Sequence, residues 1–148
     1  MTNDHNKQLG YKIYTCQRKL SAVLEMILSQ FDLNAAHWNV LNQLSNFGAM
    51  SQKEIAKKTQ KDQVSITRYV DTLEKMGLVS RQRQAKDRRS YLVNITDKGE
   101  TVTKQLEPTT LNANKELING ISQEEIIAFF ETIDKINNNC ENLLKGDY

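Results

Sequence analysis

The chain has 148 residues, of which 39% are hydrophobic and 26% charged, and its formal net charge is only +2. That length suits one domain or one compact two-lobed unit, and so small a net charge excludes a generic polycation. No apolar run approaches the roughly 18 residues of a membrane span, and the polar start, MTNDHNKQLG, reads as no signal peptide, so a cytoplasmic protein with no membrane partner is expected.

The charge is unevenly placed. Residues 51–100 hold twelve Lys/Arg against seven Asp/Glu, a net of +5, while the remainder holds eight against eleven, a net of −3. A basic middle between acidic ends suits a central surface that faces nucleic acid. The two cysteines, Cys16 and Cys140, form no CxxC and no metal-ligand spacing, and in a cytosolic chain both are expected to be reduced.

Residues 1–8 are expected to be frayed. From Leu9 the apolar residues Ile13, Cys16, Leu20, Val23, Leu24, Ile27 and Phe31 recur every three or four positions, which predicts one long helix. A lone chain of this size has little with which to cover so long a stripe, so the stripe points to a second subunit. Asp32-Leu33-Asn34 breaks that helix, and Asn34 is placed to cap a second one, Ala35 to about Asn46. Phe47-Gly48-Ala49-Met50 reads as a turn.

Ser51 with Glu54 three residues on is a capping box, which starts a short helix running to about Thr59. After Gln60-Lys61, Asp62 is a plausible cap for a further helix that ends at Gly77. Projected at the helical period, Ile66, Tyr69, Val70, Leu73 and Met76 share one face and Val64, Thr67, Arg68, Asp71 and Lys75 the other. A strand from Leu78 to Arg83, a polar tip from Gln84 to Arg89 and a strand from Ser90 to Ile95 complete a basic hairpin. The hairpin carries Arg81, Arg83, Lys86, Arg88 and Arg89 as cations able to reach phosphates, with Asp87 as a structural partner for a nearby Arg. Helix, tight turn, helix and basic hairpin make a winged helix-turn-helix.

Thr96 is placed to cap a helix that begins at Asp97. Pro108 predicts a kink or break at Glu107, unless it begins a new turn. A weak helical stripe spans Leu111 to Ile118 and ends at Gly120. A second capping box, Ser122 with Glu125, starts a last helix to about Leu144.

The runs TRYVDTLEKMGLVSR and KDRRSYLVNITDKG, with LNAAHWNVLNQL upstream, resemble the MarR/SlyA family of bacterial transcription regulators. The resemblance covers roughly Leu9 to Leu106, and Asp87-Arg88-Arg89 followed by Ile95-Thr96-Asp97-Lys98-Gly99 is its most specific part. It implies a mainly α fold with a small β-hairpin wing. The expected organisation is an N-terminal dimerisation helix in 1–33, a winged helix-turn-helix in 34–96 and C-terminal dimerisation helices in 97–148. It also implies a homodimer that acts as repressor or activator at an inverted-repeat operator in double-stranded DNA.

By position, the resemblance implies that Ser65, Thr67 and Arg68 read bases, with Val64 at a contact position, and that Arg88 and Arg89 enter the minor groove. Lys86 belongs to the same basic tip. Gln63 and the helix start Ser51-Gln52-Lys53 are better placed for phosphates, because a helix N-terminus attracts anions. The family further implies a pocket for a small aromatic or phenolic effector, with Arg18 and His37 as polar groups and Ile13, Tyr14 and Trp38 as walls. His37 also reads as a half-buried histidine that stabilises helix packing.

No nucleophile motif, Gly-rich phosphate loop or His/Cys ligand set is visible, so no enzyme, catalytic residue, metal or cofactor is expected. Two alternatives stay open. Cys16 reads as an oxidant-sensing thiol or as a small buried hydrophobe. The winged helix also reads as a protein-interaction module.

Overall fold

The computed structural model describes residues 4–87 and 89–146. Among them are six α-helices, α1 (Asp4–Leu28), α2 (Ala35–Phe47), α3 (Gln52–Thr59), α4 (Gln63–Lys75), α5 (Asp97–Leu117) and α6 (Gln123–Lys145), and three strands, β1 (Met50–Ser51), β2 (Val79–Arg83) and β3 (Tyr91–Ile95). The described residues form two compact units, divided after residue 113.

Local sequence accounts for most element ends. The Asn34 side chain accepts the His37 N–H, and the Asp62 side chain accepts that of Ser65. Ser51 with Glu54 and Ser122 with Glu125 both close reciprocal capping boxes. Each satisfies donors that the first helical turn would otherwise leave without partners.

The first unit is built on a core of Leu28, Leu41, Leu44, Ile55, Ile66, Leu73 and Leu106 with Val40, Val70, Val79 and Val93, all fully buried. α4 contributes Ile66, Val70 and Leu73, so its expected inner face is the inner face, with Tyr69 and Met76 half-buried at its margins. The sheet order is β1-β3-β2, antiparallel throughout, with Met50 opposite Val93 and Arg81 opposite Val93 on the other side.

The start of α5 is fastened to the end of α4. The Thr96 hydroxyl donates to the Gly77 carbonyl at 2.6 Å and accepts the Gly99 N–H at 3.1 Å. Lys98 Nζ donates to the Met76 carbonyl at 2.8 Å, a cation at the negative end of α4. Gly77 itself stands at φ +75°, in the left-handed region. The Ile95-Thr96-Asp97-Lys98-Gly99 motif is therefore the joint between wing, α4 and α5.

Three expectations need correction. Residues 4–8, expected to be frayed, belong to α1. Met50, expected in a turn, is a buried residue of β1, because β3 offers it a free edge. α5 passes through Pro108 as one helix instead of breaking at Glu107. Proline removes only one main-chain bond there, and the Thr110 hydroxyl donates to the Leu106 and Glu107 carbonyls around it. The α1 stripe is buried only at its end, as expected of a stripe that one chain has little with which to cover: Ile27 is covered, whereas Leu9, Ile13, Cys16 and Leu20 are exposed in the single chain.

The second unit consists of the end of α5 and α6. α6 buries none of its side chains, and Ile127, Phe129, Phe130, Leu143 and Leu144 are exposed.

Candidate nucleic-acid interface

α4 presents the polar side that its periodicity predicts. Val64 is 69% exposed. Gln63, Thr67 and Arg68 are exposed beside it, and Ser65 is half-buried. Asp62 holds Ser65 twice, accepting its N–H at 2.8 Å and its hydroxyl at 2.7 Å. These bonds, the N–H first, hold the Asp62 carboxyl below its ordinary range. Arg68 makes only a long contact to the Ser65 hydroxyl, 3.5 Å, among the described residues, so its guanidinium is uncommitted.

The start of α3 is more occupied than the sequence suggests. The Ser51 hydroxyl accepts the Glu54 N–H at 3.2 Å, and the Ser51 N–H donates to the Glu54 carboxyl at 2.7 Å; hydrogen bonding from Ser51, its main-chain N–H first, holds that carboxyl below its usual range. Lys53 is exposed, whereas Gln52 is half-buried and turned inward. Its amide donates to the Thr67 hydroxyl at 2.8 Å and accepts from Arg81 Nε at 3.0 Å. The Thr67 hydroxyl in turn donates to the Gln63 carbonyl at 2.9 Å.

Arg81 is not a free cation of the wing, as its place in the basic run implies. Its guanidinium meets Asp71 and Glu74 of α4, each at 2.6 Å, and its main-chain N–H donates to Glu74 at 3.2 Å. Only 18% of its side chain is exposed. Two carboxylates offset its charge and three of its N–H directions are spent, so it points into the protein and away from any phosphate. Sequence reasoning missed this tie because Asp71 and Glu74 look like ordinary residues of a solvated helix face.

The wing tip keeps its exposed cations. Lys86 and Arg89 are exposed, and Arg88 lies outside the described residues. Arg83 Nε donates to the Tyr91 hydroxyl at 3.1 Å and its guanidinium lies over the Tyr91 ring. Asp87 accepts the Arg89 main-chain N–H at 3.0 Å, a bond that shapes the turn.

The expected effector residues do not converge. A pocket of about 280 Å³ lies between α2 and α5, with Trp38, Asn42, Glu100, Lys104 and Glu107 in its lining. Of the five candidates only Trp38 reaches it. Ile13 and Tyr14 are exposed on α1, where the Arg18 guanidinium sits over the Tyr14 ring at 5.8 Å. His37 packs edge-on against Tyr69 of α4, with ring centroids 5.9 Å apart. Its Nδ1 is buried without a partner among the described residues. Burial lowers its pKa below the ordinary 6.5, with the Glu25 carboxylate pulling the other way. That surrounding supports the packing histidine.

Among the described residues no group of three or more His, Cys, Asp or Glu is arranged to hold a metal ion, and no helix is long and apolar enough to cross a membrane.

Residues 33–91 match the family model described as MarR family. The fold is similar to a cysteine-to-serine mutant of MarR from E. coli, solved in complex with operator DNA (TM-score 0.82, 25% identity, 91% of this chain and 99% of that one). It is also similar to the transcriptional regulator BldR from Sulfolobus solfataricus (TM-score 0.78, 28% identity, 94% of this chain and 99% of that one). The likeness extends in fold to BpsR from Bordetella bronchiseptica, a protein whose DNA binding is regulated by 6-hydroxynicotinic acid (TM-score 0.78, 23% identity, 88% and 98%).

Proposed function

With its winged-helix segment belonging to the MarR family, we propose that this chain is a transcription regulator that binds an inverted-repeat operator as a homodimer in the cytoplasm. The observation that carries the reading is the outward face of α4. Val64, Thr67 and Arg68 stand exposed on a helix whose other side is fully packed. An exposed Val and a Thr methyl suit thymine methyls, and an uncommitted Arg suits guanine O6 and N7. Lys53, Lys86 and Arg89 supply exposed cations for phosphates on either flank, and Arg88 joins them by its place in the motif. The E. coli relative was solved on operator DNA.

The homodimer follows from the apolar surface that one chain leaves bare. Leu9, Ile13 and Leu20 on α1 and Phe129, Phe130 and Leu143 on α6 are all exposed. A second copy covers such helices, and two-fold symmetry places two reading units on two half-sites. Fluorescence anisotropy on a selected duplex tests this. Two chains per duplex are expected, and a single chain per duplex overturns the dimer.

A small aromatic effector is proposed to release the DNA. The pocket beside Trp38 offers a ring to stack on and the Lys104 ammonium as a cation for a carboxylate or phenolate. Among relatives of the same fold, BpsR responds to 6-hydroxynicotinic acid. Millimolar salicylate is expected to weaken operator binding and raise thermal stability, and no change in either removes the effector from the account.

A second input is also proposed, oxidation of the Cys16 thiol, which lies on the α1 stripe beside Ile13 and Leu20 and is exposed in the single chain. Mild peroxide is then expected to change operator binding in the native protein but not in a Cys16→Ser variant. Unchanged binding in both makes Cys16 a bystander.

A further inference from the structure

The tie between wing and helix has a use beyond holding them together. Arg81 on β2 is anchored at one end by Asp71 and Glu74, each at 2.6 Å. At the other end its Nε donates to the Gln52 amide oxygen at 3.0 Å. That bond settles which way the amide faces: its oxygen is toward Arg81, so its nitrogen is toward α4, where it donates to the Thr67 hydroxyl at 2.8 Å. The Thr67 hydroxyl in turn donates to the Gln63 carbonyl at 2.9 Å. Both bonds hold the hydroxyl in one rotamer, because threonine rotates about a single side-chain bond. The hydroxyl is thus spent inside the protein, and the group Thr67 has left to show outward is its methyl.

We propose that Arg81 is a positioning residue for base readout: acting through Gln52, it fixes the Thr67 side chain so that its methyl, not its hydroxyl, meets the DNA. Arg81 itself touches no nucleotide. The base pair under Thr67 is then one with a thymine methyl in the major groove, since that methyl is the apolar feature a base edge presents there. Gln52, expected to be a phosphate contact, is instead the link that couples wing to reading helix.

This inference rests on the operator-binding reading, and the experiment separates the two. Duplexes selected from random DNA by the native protein are compared with those selected by Gln52→Ala and by Arg81→Lys. Arg81→Lys keeps a cation against Asp71 and Glu74 and gives up the Nε donor; Gln52→Ala cuts the link without touching the ion pairs. The native protein is expected to require a T·A pair at one position in each half-site. Both variants should lower discrimination there about tenfold, within the range of one good base contact, with preferences elsewhere and the salt slope of binding unchanged. In a Thr67→Ala background, Gln52→Ala should change base preference no further.

If the native protein selects a site but both variants keep its full preference, Arg81 is only a brace and the inference falls while operator binding stands. If the variants lose affinity equally on all sequences and the salt slope drops by about one, Gln52 or Arg81 is a phosphate contact and the inference again falls. If the native protein enriches no site, operator binding itself falls and takes the inference with it.

Discussion

The Cα of Gly99, in the first turn of α5, lies directly against the main-chain carbonyl of Leu78. A Cβ added to Gly99 would overlap that oxygen and come within 2.6 Å of Ile95 Cγ1. The contact is with backbone, which cannot rotate aside as a side chain would. Gly99→Ala should therefore push α5 away from the wing and cost about 1–3 kcal/mol, the usual scale of overpacking. Urea unfolding reads this directly, and a midpoint equal to the native one would show that the joint has slack.

Arg68 has an uncommitted guanidinium on the outward side of α4. If it forms a bidentate pair with guanine, Arg68→Ala should weaken binding to the selected operator by about 1–3 kcal/mol and leave non-specific binding nearly unchanged. Equal losses on operator and random duplex would make Arg68 a phosphate anchor.

His37 gives a pH dependence whose sign can be worked out. Burial lowers its folded-state pKa below the ordinary 6.5, against a smaller opposite pull from Glu25. Below that ordinary value the unfolded chain takes up the proton first. The stability that neutral His37 contributes is complete above the unfolded value and is lost as pH falls through the lowered folded value. The stability difference between native protein and His37→Gln should therefore shrink as the pH is lowered from about 7.5 to about 5, spanning the ordinary histidine range. A difference that stays constant across this range would show that the ring titrates alike in both states.

Pro108 sits exposed within a continuous α5. Alanine there restores a main-chain donor and removes the ring from the preceding turn, worth up to about 3 kcal/mol in a helix interior. The freer unfolded chain offsets about 0.4–1 kcal/mol of that. Pro108→Ala should raise the melting temperature, and a lowered one would mean that the proline ring packs on something the isolated chain leaves open.

Much of this molecule is legible in its sequence wherever the governing physics is local. Asn34, Ser51 with Glu54, Asp62 and Ser122 with Glu125 start helices where their spacing says, because a cap needs only residues within one turn. The inner and outer faces of α4 follow from periodicity for the same reason. What stayed hidden depends on residues far apart in sequence. β1 exists because β3 passes beside Met50, some forty residues on. Arg81 reads as one more wing cation until Asp71, Glu74 and Gln52 are seen around it. Gly99 reads only as the last residue of the motif after the wing until the Leu78 carbonyl is seen in the space a side chain would need. The effector residues were scattered for the opposite reason: family likeness grouped Ile13, Tyr14, Arg18 and His37 with Trp38, and no local rule tests such a grouping.

The most direct test of the central claim is selection of bound fragments from random duplex DNA, followed by the salt dependence of binding to the winner. The account predicts an inverted repeat with half-site centres about one helical turn apart. It also predicts a steep fall in affinity with salt, because several phosphate contacts release counterions together. An absence of any enriched sequence, with binding that scarcely responds to salt, would contradict it and make the α4 face and the wing a surface for a protein partner.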